Sequence, residues 1–213
     1  KVIAHGRDRA NALRQMQSAL HDLVALGVKT NQSFLQRSLA QPVFAQGGAT
    51  TAFIAQHEAQ LLHEVSDSRA LAVAAWLLHH SAGAALSASR LAHSLPVAVH
   101  LSLGGTRHRA TVTQTSAQQF SVQVSDTSHA VTMASHGTNG VRLIVDHVLQ
   151  SVPFVRDGQS LWMHWAGRPY RVQDLTREVG VRPGEQGGDG KVRATMNGRV
   201  VAVSVAVGDR VQA

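Results

Sequence analysis

Nine consecutive apolar residues, Ala70-Leu71-Ala72-Val73-Ala74-Ala75-Trp76-Leu77-Leu78, lie in the middle of a stretch of helical composition from Ser66 to Leu86. A helix that is apolar on every side must be buried on every side. The run falls well short of the roughly 18 residues that span a membrane, so protein must surround it. The next hundred residues supply the wrapping. From Leu95 to Asp174 the pattern changes to period two, with strands marked by Val97, Val99, Leu101; Ala110, Val112; Phe120, Val122, Val124; and Val131, Met133. Four more follow, at Val141 to Val145, around Val152 to Val155, at Leu161 to Trp165, and at Tyr170 to Val172. Gly104-Gly105, Asn139-Gly140, Asp157-Gly158 and Ala166-Gly167 separate them at hairpin intervals, because glycine supplies the positive φ of tight turns. Eight successive antiparallel strands favour closure into a barrel, which leaves no edge exposed. An eight-stranded barrel holds side chains or one inserted element, and the apolar helix is predicted to pack into or against its mouth.

The residues before this helix read differently. From Asp8 to Leu26, Leu13, Met16, Leu20, Leu23 and Val24 recur at helical spacing, with Asp8 placed to cap the start and Gly27 to end the helix. Val2-Ile3 and Val28-Lys29-Thr30 are expected as short strands, and Asn31 or Ser33 as the cap of a second helix through Phe34, Leu35 and Leu39. Pro42 and Gly47-Gly48 break that segment before a helical pattern resumes from Phe53 to Leu62. The fold class expected is α+β: an antiparallel eight-stranded β-barrel with a long buried helix, preceded by an α/β region. The chain is expected to begin in the middle of a fold.

A length of 213 residues suits one or two compact units, and a hydrophobic content of 44% suits a globular chain. Twenty Lys and Arg outnumber thirteen Asp and Glu, giving +7. The excess is spread: residues 1–63 carry 6 basic and 3 acidic side chains, 64–175 carry 8 and 6, and 176–213 carry 6 and 4. No basic stripe with interleaved aromatics forms, so neither nucleic acid nor a membrane is expected as a partner. The absence of Cys excludes a disulfide framework, a thiolate zinc site and a cysteine nucleophile, and fits a reducing compartment.

Motif spacing excludes most catalytic classes. His57-Glu58 opens like the helical zinc motif, but Leu61 stands where the second histidine belongs. His79 and His80 point about 100° apart on a helix. His100, His108, His129, His136, His147 and His164 are scattered over the strands, so no metal ligand set is expected. Gly190-Lys191-Val192 lacks the phosphate-loop pattern, with Glu185 at the first glycine position, and no serine lies in a Gly-x-Ser-x-Gly elbow. The carboxylates form no acid and base pair. No catalytic, cofactor-binding or metal-ligating residue is therefore expected in this segment. Trp162 and Trp165, three positions apart on one strand, face opposite sides, which puts one of them outside as an anchor for a partner surface.

Two stretches carry a family resemblance. Lys1-Val2-Ile3-Ala4-His5-Gly6-Arg7-Asp8-Arg9-Ala10, then Gly27-Val28-Lys29-Thr30-Asn31 with Phe34-Leu35, then Thr51-Ala52-Phe53-Ile54, resemble the C-terminal end of a biotin carboxylase domain. Ala194-Thr195-Met196-Asn197-Gly198-Arg199-Val200, through Val207-Gly208-Asp209-Arg210-Val211, resembles the opening of a biotin carboxyl carrier domain, with Thr195 replacing the usual proline. A long helix plus eight strands between them is similar to the BT domain of the biotin-bearing (alpha) subunit of acyl-CoA carboxylases.

The resemblance implies residues 1–63 as the carboxylase-domain fragment, 64–175 as the BT interaction domain, 176–190 as a flexible linker and 191–213 as the start of the carrier. It implies a hetero-oligomer in which this segment joins the biotin carboxylase and carrier domains of its own chain to a carboxyltransferase (beta) subunit through the barrel's hairpin loops. The whole enzyme is an ATP-dependent ligase forming C–C bonds. It uses biotin, ATP and Mg2+, carboxylating biotin with bicarbonate and passing CO2 to an acyl-CoA. The segment itself binds none of these, and the biotinyl lysine is expected beyond Ala213. Phe53 lies in a stretch that approaches the adenine in relatives, although a core aromatic is its plainer role. The run Leu161-Trp162-Met163-His164-Trp165 favours methylcrotonyl-CoA carboxylase over the propionyl-CoA and geranyl-CoA enzymes. Cytoplasm is implied for a bacterial protein, the mitochondrial matrix for a eukaryotic one. The linker, Thr176 to Gly190, has a flexible-chain reach of about 20 Å at 5 to 6 Å times √n. Two other classes stay open: a barrel holding a small apolar ligand in its lumen, and an oligonucleotide-binding barrel.

Overall fold

The computed structural model describes residues 1–62, 67–83, 95–138 and 140–177, which belong to one unit, Lys1–Arg177. The expected linker beyond Arg177 and the carrier-like segment 191–213 lie outside the described residues. In chain order the elements are α1 (Arg9–Asp22), α2 (Gln32–Ala40), α3 (Pro42–Ala45), α4 (Phe53–Leu62) and α5 (Ser68–Gly83). The strands are β1 (Val97–Leu103), β2 (Thr106–Gln114), β3 (Gln119–Val124), β4 (Thr127–Gly137), β5 (Gly140–Val145), β6 (Val148–Asp157), β7 (Ser160–Trp165) and β8 (Arg168–Asp174).

Each strand pairs antiparallel with the next, and β8 returns to β1 through Leu101↔Asp174, Ser102↔Gln173 and Leu103↔Val172, closing the barrel. The alternation that marked the strands in sequence sorts their side chains: Val99 and Leu101 of β1, Val122 of β3, Leu143 of β5 and Met163 of β7 are buried to 2% exposure or less. α5 runs among them. Every residue from Ala70 to Leu78 is buried, Trp76 completely, in one cluster with the inner residues of the barrel. The helix packs on β1, β2, β3, β4 and β7. Nine residues at 1.5 Å each make about 14 Å of helix without a polar face. Trp76 stacks on His80, with centroids 4.7 Å apart, and meets Phe120 edge-on at 5.7 Å. The lumen is thus filled by the chain itself.

The hairpins use the expected glycines, with φ of 57° and 84° at Gly104 and Gly105 and 48° and 76° at Ala166 and Gly167. Asp146-His147, with φ of 47° and 71°, forms a further turn without glycine. At Gly140 a Cβ would run into the Val152 carbonyl, so the β5–β6 approach requires glycine there.

Three expectations for the first 62 residues are corrected. Val2-Ile3 and Val28-Lys29-Thr30 form no strand: a strand exists only as a ladder member, and the one ladder among the described residues closes on itself, leaving no edge to join. α1 begins after Asp8, whose side chain accepts the Asn11 N–H at 2.7 Å, but it stops at Asp22 and not at Gly27. Side chains of α2 end it early: Gln32 Nε2 donates to the Leu20 and Leu23 carbonyls and Gln36 Nε2 to Leu20 again, satisfying acceptors that another helical turn would have used. Pro42 does not merely break α2; it opens the short α3 at a position where its missing N–H costs nothing.

Candidate functional site

The buried helix is fixed at both ends by polar groups of the barrel. At its start, Asp67 Oδ1 accepts the Arg69 N–H at 2.9 Å, and Ser68 Oγ lies 3.1 Å from His129 Nε2. His129 Nδ1 lies 2.7 Å from Asp146 Oδ2, while Asp146 Oδ1 accepts the Ala130 N–H at 3.0 Å. An ionised carboxylate only accepts, so Nδ1–H donates to Asp146, while Nε2 and the Ser68 hydroxyl hydrogen-bond to each other. Burial opposes ionisation of Asp146, but the hydrogen bonds from His129 and Ala130, with the charges of His129 and Arg69, hold its carboxyl below 3.8. The Ser–His–Asp order is that of a hydrolase triad. Here, however, the imidazole is buried at 5% exposure, and none of the three residues lines the cleft described below. What the set does is pin the first turn of α5 to the start of β4 and the β5–β6 turn.

Near the other end, Arg156 Nη1 donates to the Leu78 carbonyl at 3.5 Å and Arg156 Nη2 to Asp174 Oδ2 at 2.6 Å. Asp174 also accepts the Thr176 N–H. His79, His80 and His136 gather here, with the rings of His80 and His136 6.3 Å apart. Burial, then the neighbouring His80, lowers the pKa of His79; burial, then His136, lowers that of His80. Among the described residues no three His, Asp or Glu groups are placed to hold a metal ion.

A second feature lies where the N-terminal helices meet the barrel. Gln36 Nε2 donates to the Gly167 carbonyl at 2.8 Å, and His21 packs so closely on Gly167 that no Cβ fits there. His164, outward on β7 yet buried, has its pKa lowered by burial first and by His21 second, against smaller raising effects of Asp22 and the His21 backbone. Beside this contact opens a cleft of about 700 Å³ between the Val28–Arg37 stretch, the β1–β2 turn and β8. Lys29, Arg37, Arg168 and Arg171 line it together with Phe34, Tyr170 and Trp162, and no Asp or Glu does among the described residues. The two strand tryptophans face opposite ways as their spacing requires: Trp165 is in the core, and Trp162 is outside with the Arg171 Cζ 5.2 Å from its ring centre.

Phe53 is buried, its ring centre 5.9 Å from Phe44 and 4.9 Å from His57, so both neighbours are core contacts and no open face is offered to an adenine. The residues present do not make a nucleotide site there. His57 Nδ1 donates to the Phe53 carbonyl one turn back. Sequence reading passed over Ser68 and Asp146 and treated His129 as an ordinary strand histidine. The available signal was register, since His129 stands two residues before Val131 and therefore shares its inward face.

With this geometry in place, comparison with known proteins decides the N-terminal part. Residues 1–56 match the biotin carboxylase C-terminal domain family. The chain is 34% identical over 95 residues to the mitochondrial methylcrotonoyl-CoA carboxylase subunit alpha of Arabidopsis thaliana, covering 44% of this chain and 13% of that protein. It is 46% identical over 54 residues to human mitochondrial pyruvate carboxylase, 25% of this chain and 5% of that one. With biotin carboxylase 2 of Bacillus subtilis it shares 37% over 57 residues, 27% and 13% of the two chains. The chain thus spans no more than 13% of the length of these relatives. The matches make the N-terminal part of the chain similar to the biotin carboxylase C-terminal domain. No helix among the described residues is long and apolar enough to cross a membrane.

Proposed function

We propose that this chain is the assembly segment of a biotin-dependent acyl-CoA carboxylase, joining biotin carboxylase to a carboxyltransferase subunit. One observation carries the reading: the biotin carboxylase C-terminal match at residues 1–56 continues, within one unit, into a closed barrel whose interior is filled by its own helix. A filled barrel offers no lumen to a ligand, and its hairpin loops, apart from the β7–β8 turn that packs on His21 and Gln36, are left to contact a partner. The carboxylase as a whole uses ATP, Mg2+, bicarbonate and biotin; the present residues supply the joint.

Methylcrotonyl-CoA is the favoured acyl group. Support comes from the length of the alignments, 95 residues with the methylcrotonoyl-CoA carboxylase subunit against 54 and 57 with pyruvate carboxylase and biotin carboxylase, so the first likeness extends past the family match. In this reading residues 64–175 form the interaction domain, 176–190 the linker and 191–213 the start of the carrier. The protein works in the cytoplasm of a bacterium or the mitochondrial matrix of a eukaryote, in line with the mitochondrial relative. Co-expression with the carboxyltransferase subunits of methylcrotonyl-, propionyl- and geranyl-CoA carboxylases, followed by size-exclusion chromatography, tests it. Co-elution with the methylcrotonyl subunit is expected, and separate elution from all three contradicts the assembly role.

A further inference from the structure

The basic cleft beside α2 has no part in that reading. We propose that it is a binding site for a nucleoside polyphosphate. Its volume of about 700 Å³ is that of a small-molecule site. Its charge is one-sided: Lys29, Arg168 and Arg171 line it, with Arg37, whose Nε–H goes to the Leu61 carbonyl at 2.6 Å, and there is no carboxylate among the described lining residues. Elsewhere three arginines have a carboxylate beside them, Arg156 with Asp174 at 2.6 Å, Arg69 with Asp67 and Arg7 with Asp8 at 3.7 Å. Four cations about one small cavity favour a ligand that concentrates negative charge, which phosphates do more densely than carboxylate side chains.

The first turn of α2 opens on the same cleft. Asn31 and Ser33 line it, and the Asn31 side chain makes no capping hydrogen bond. The N–H groups of a helix start add to the anion-binding potential set up by these cations. The aromatic wall supplies the other half of the recognition. Trp162 and Arg171 are cross-strand partners on the outer face of β7 and β8, with the guanidinium over the indole. Such a pair presents flat surfaces on which a nucleobase stacks. Phosphates at Lys29, Arg168 and the α2 start, and the base at Trp162 and Arg171, use every unusual feature of the cleft. An acidic peptide would use the cations and leave the indole idle.

Tryptophan fluorescence of the full chain reads the site directly, because Trp76 and Trp165 are buried and Trp162 is the half-exposed indole. Titration with ATP is expected to quench emission saturably, and the quench disappears in Trp162→Phe. Isothermal titration calorimetry is expected to show binding weakened about tenfold or more in Arg168→Ala/Arg171→Ala and in Lys29→Ala, with thermal unfolding unchanged because these side chains are exposed. Inorganic pyrophosphate is expected to bind at least about tenfold more weakly than ATP, since it has no base to stack. The proposal is overturned by no saturable binding at millimolar ATP, by a quench that persists in Trp162→Phe, or by variants that bind as wild type. Pyrophosphate equal to ATP, or displacement of ATP by polyglutamate at lower concentration than by unlabelled nucleotide, overturns it as well.

Discussion

His129 carries more of the fold than its place on a strand suggests. It spends both ring nitrogens on holding the first turn of α5 to the β5–β6 turn, and it stabilises Asp146 there, whose positive φ is unusual for a residue with a side chain. His129→Ala should cost about 1–3 kcal/mol at neutral pH, the usual loss when a buried hydrogen bond to a charged group is broken. Asp146 titrates below 3.8 in the folded chain, so its stabilising contribution is complete above that value and disappears as pH falls through the lowered one. Urea unfolding at pH 7 and pH 3 should therefore show a smaller gap between wild type and His129→Ala at the lower pH; an equal gap would count against the role given to Asp146. The histidines kept neutral by burial act in the same pH direction. His79, His80 and His164 have folded pKa values below 6.5, so the unfolded chain takes up protons first, and stability should decline as pH drops from 7 through 6.5 and below. A flat urea midpoint between pH 7 and 5.5 is inconsistent with three such groups.

At the scale of elements, α5 and the hairpins depend on each other. Trp76→Ala removes the largest buried side chain of the lumen and should cost about 3–5 kcal/mol by chemical denaturation, whereas an exposed helix position would cost a few tenths. Gly140→Ala forces a Cβ against the Val152 carbonyl and should destabilise the β5–β6 pairing by about 1–3 kcal/mol, visible as a lowered denaturation midpoint and faster amide exchange in those strands. These elements were legible in sequence because each is set by a local pattern: an apolar run without a polar face, alternation at period two, glycine pairs at turns. The Ser68, His129 and Asp146 set was not, because its members are 61 and 17 residues apart and meet only once the barrel closes. The Asp146-His147 turn was missed for a related reason, its positive φ being supported by a hydrogen bond to a distant side chain instead of by glycine. The two strands expected near the start failed because alternation says that a segment can be extended, not that a partner edge exists for it.

Taken as a whole, the described residues make a barrel with an internal strut, attached along β8 and the β7–β8 turn to the helices of a carboxylase-like N-terminal region. Such a body is stiff where its core is continuous and variable only at its loops, which suits a joint between larger parts. The same closure that leaves no sheet edge among the described residues would confine a partner's contact with the barrel to hairpin tips and outward side chains. Hydrogen–deuterium exchange on the chain alone and with a methylcrotonyl-CoA carboxyltransferase subunit reads both properties at once. The account predicts that residues 70–78 are the slowest to exchange in the free chain, and that the partner adds protection at the hairpin loops while leaving that helix unchanged. Rapid exchange along residues 70–78, or no added protection at any hairpin, would contradict it.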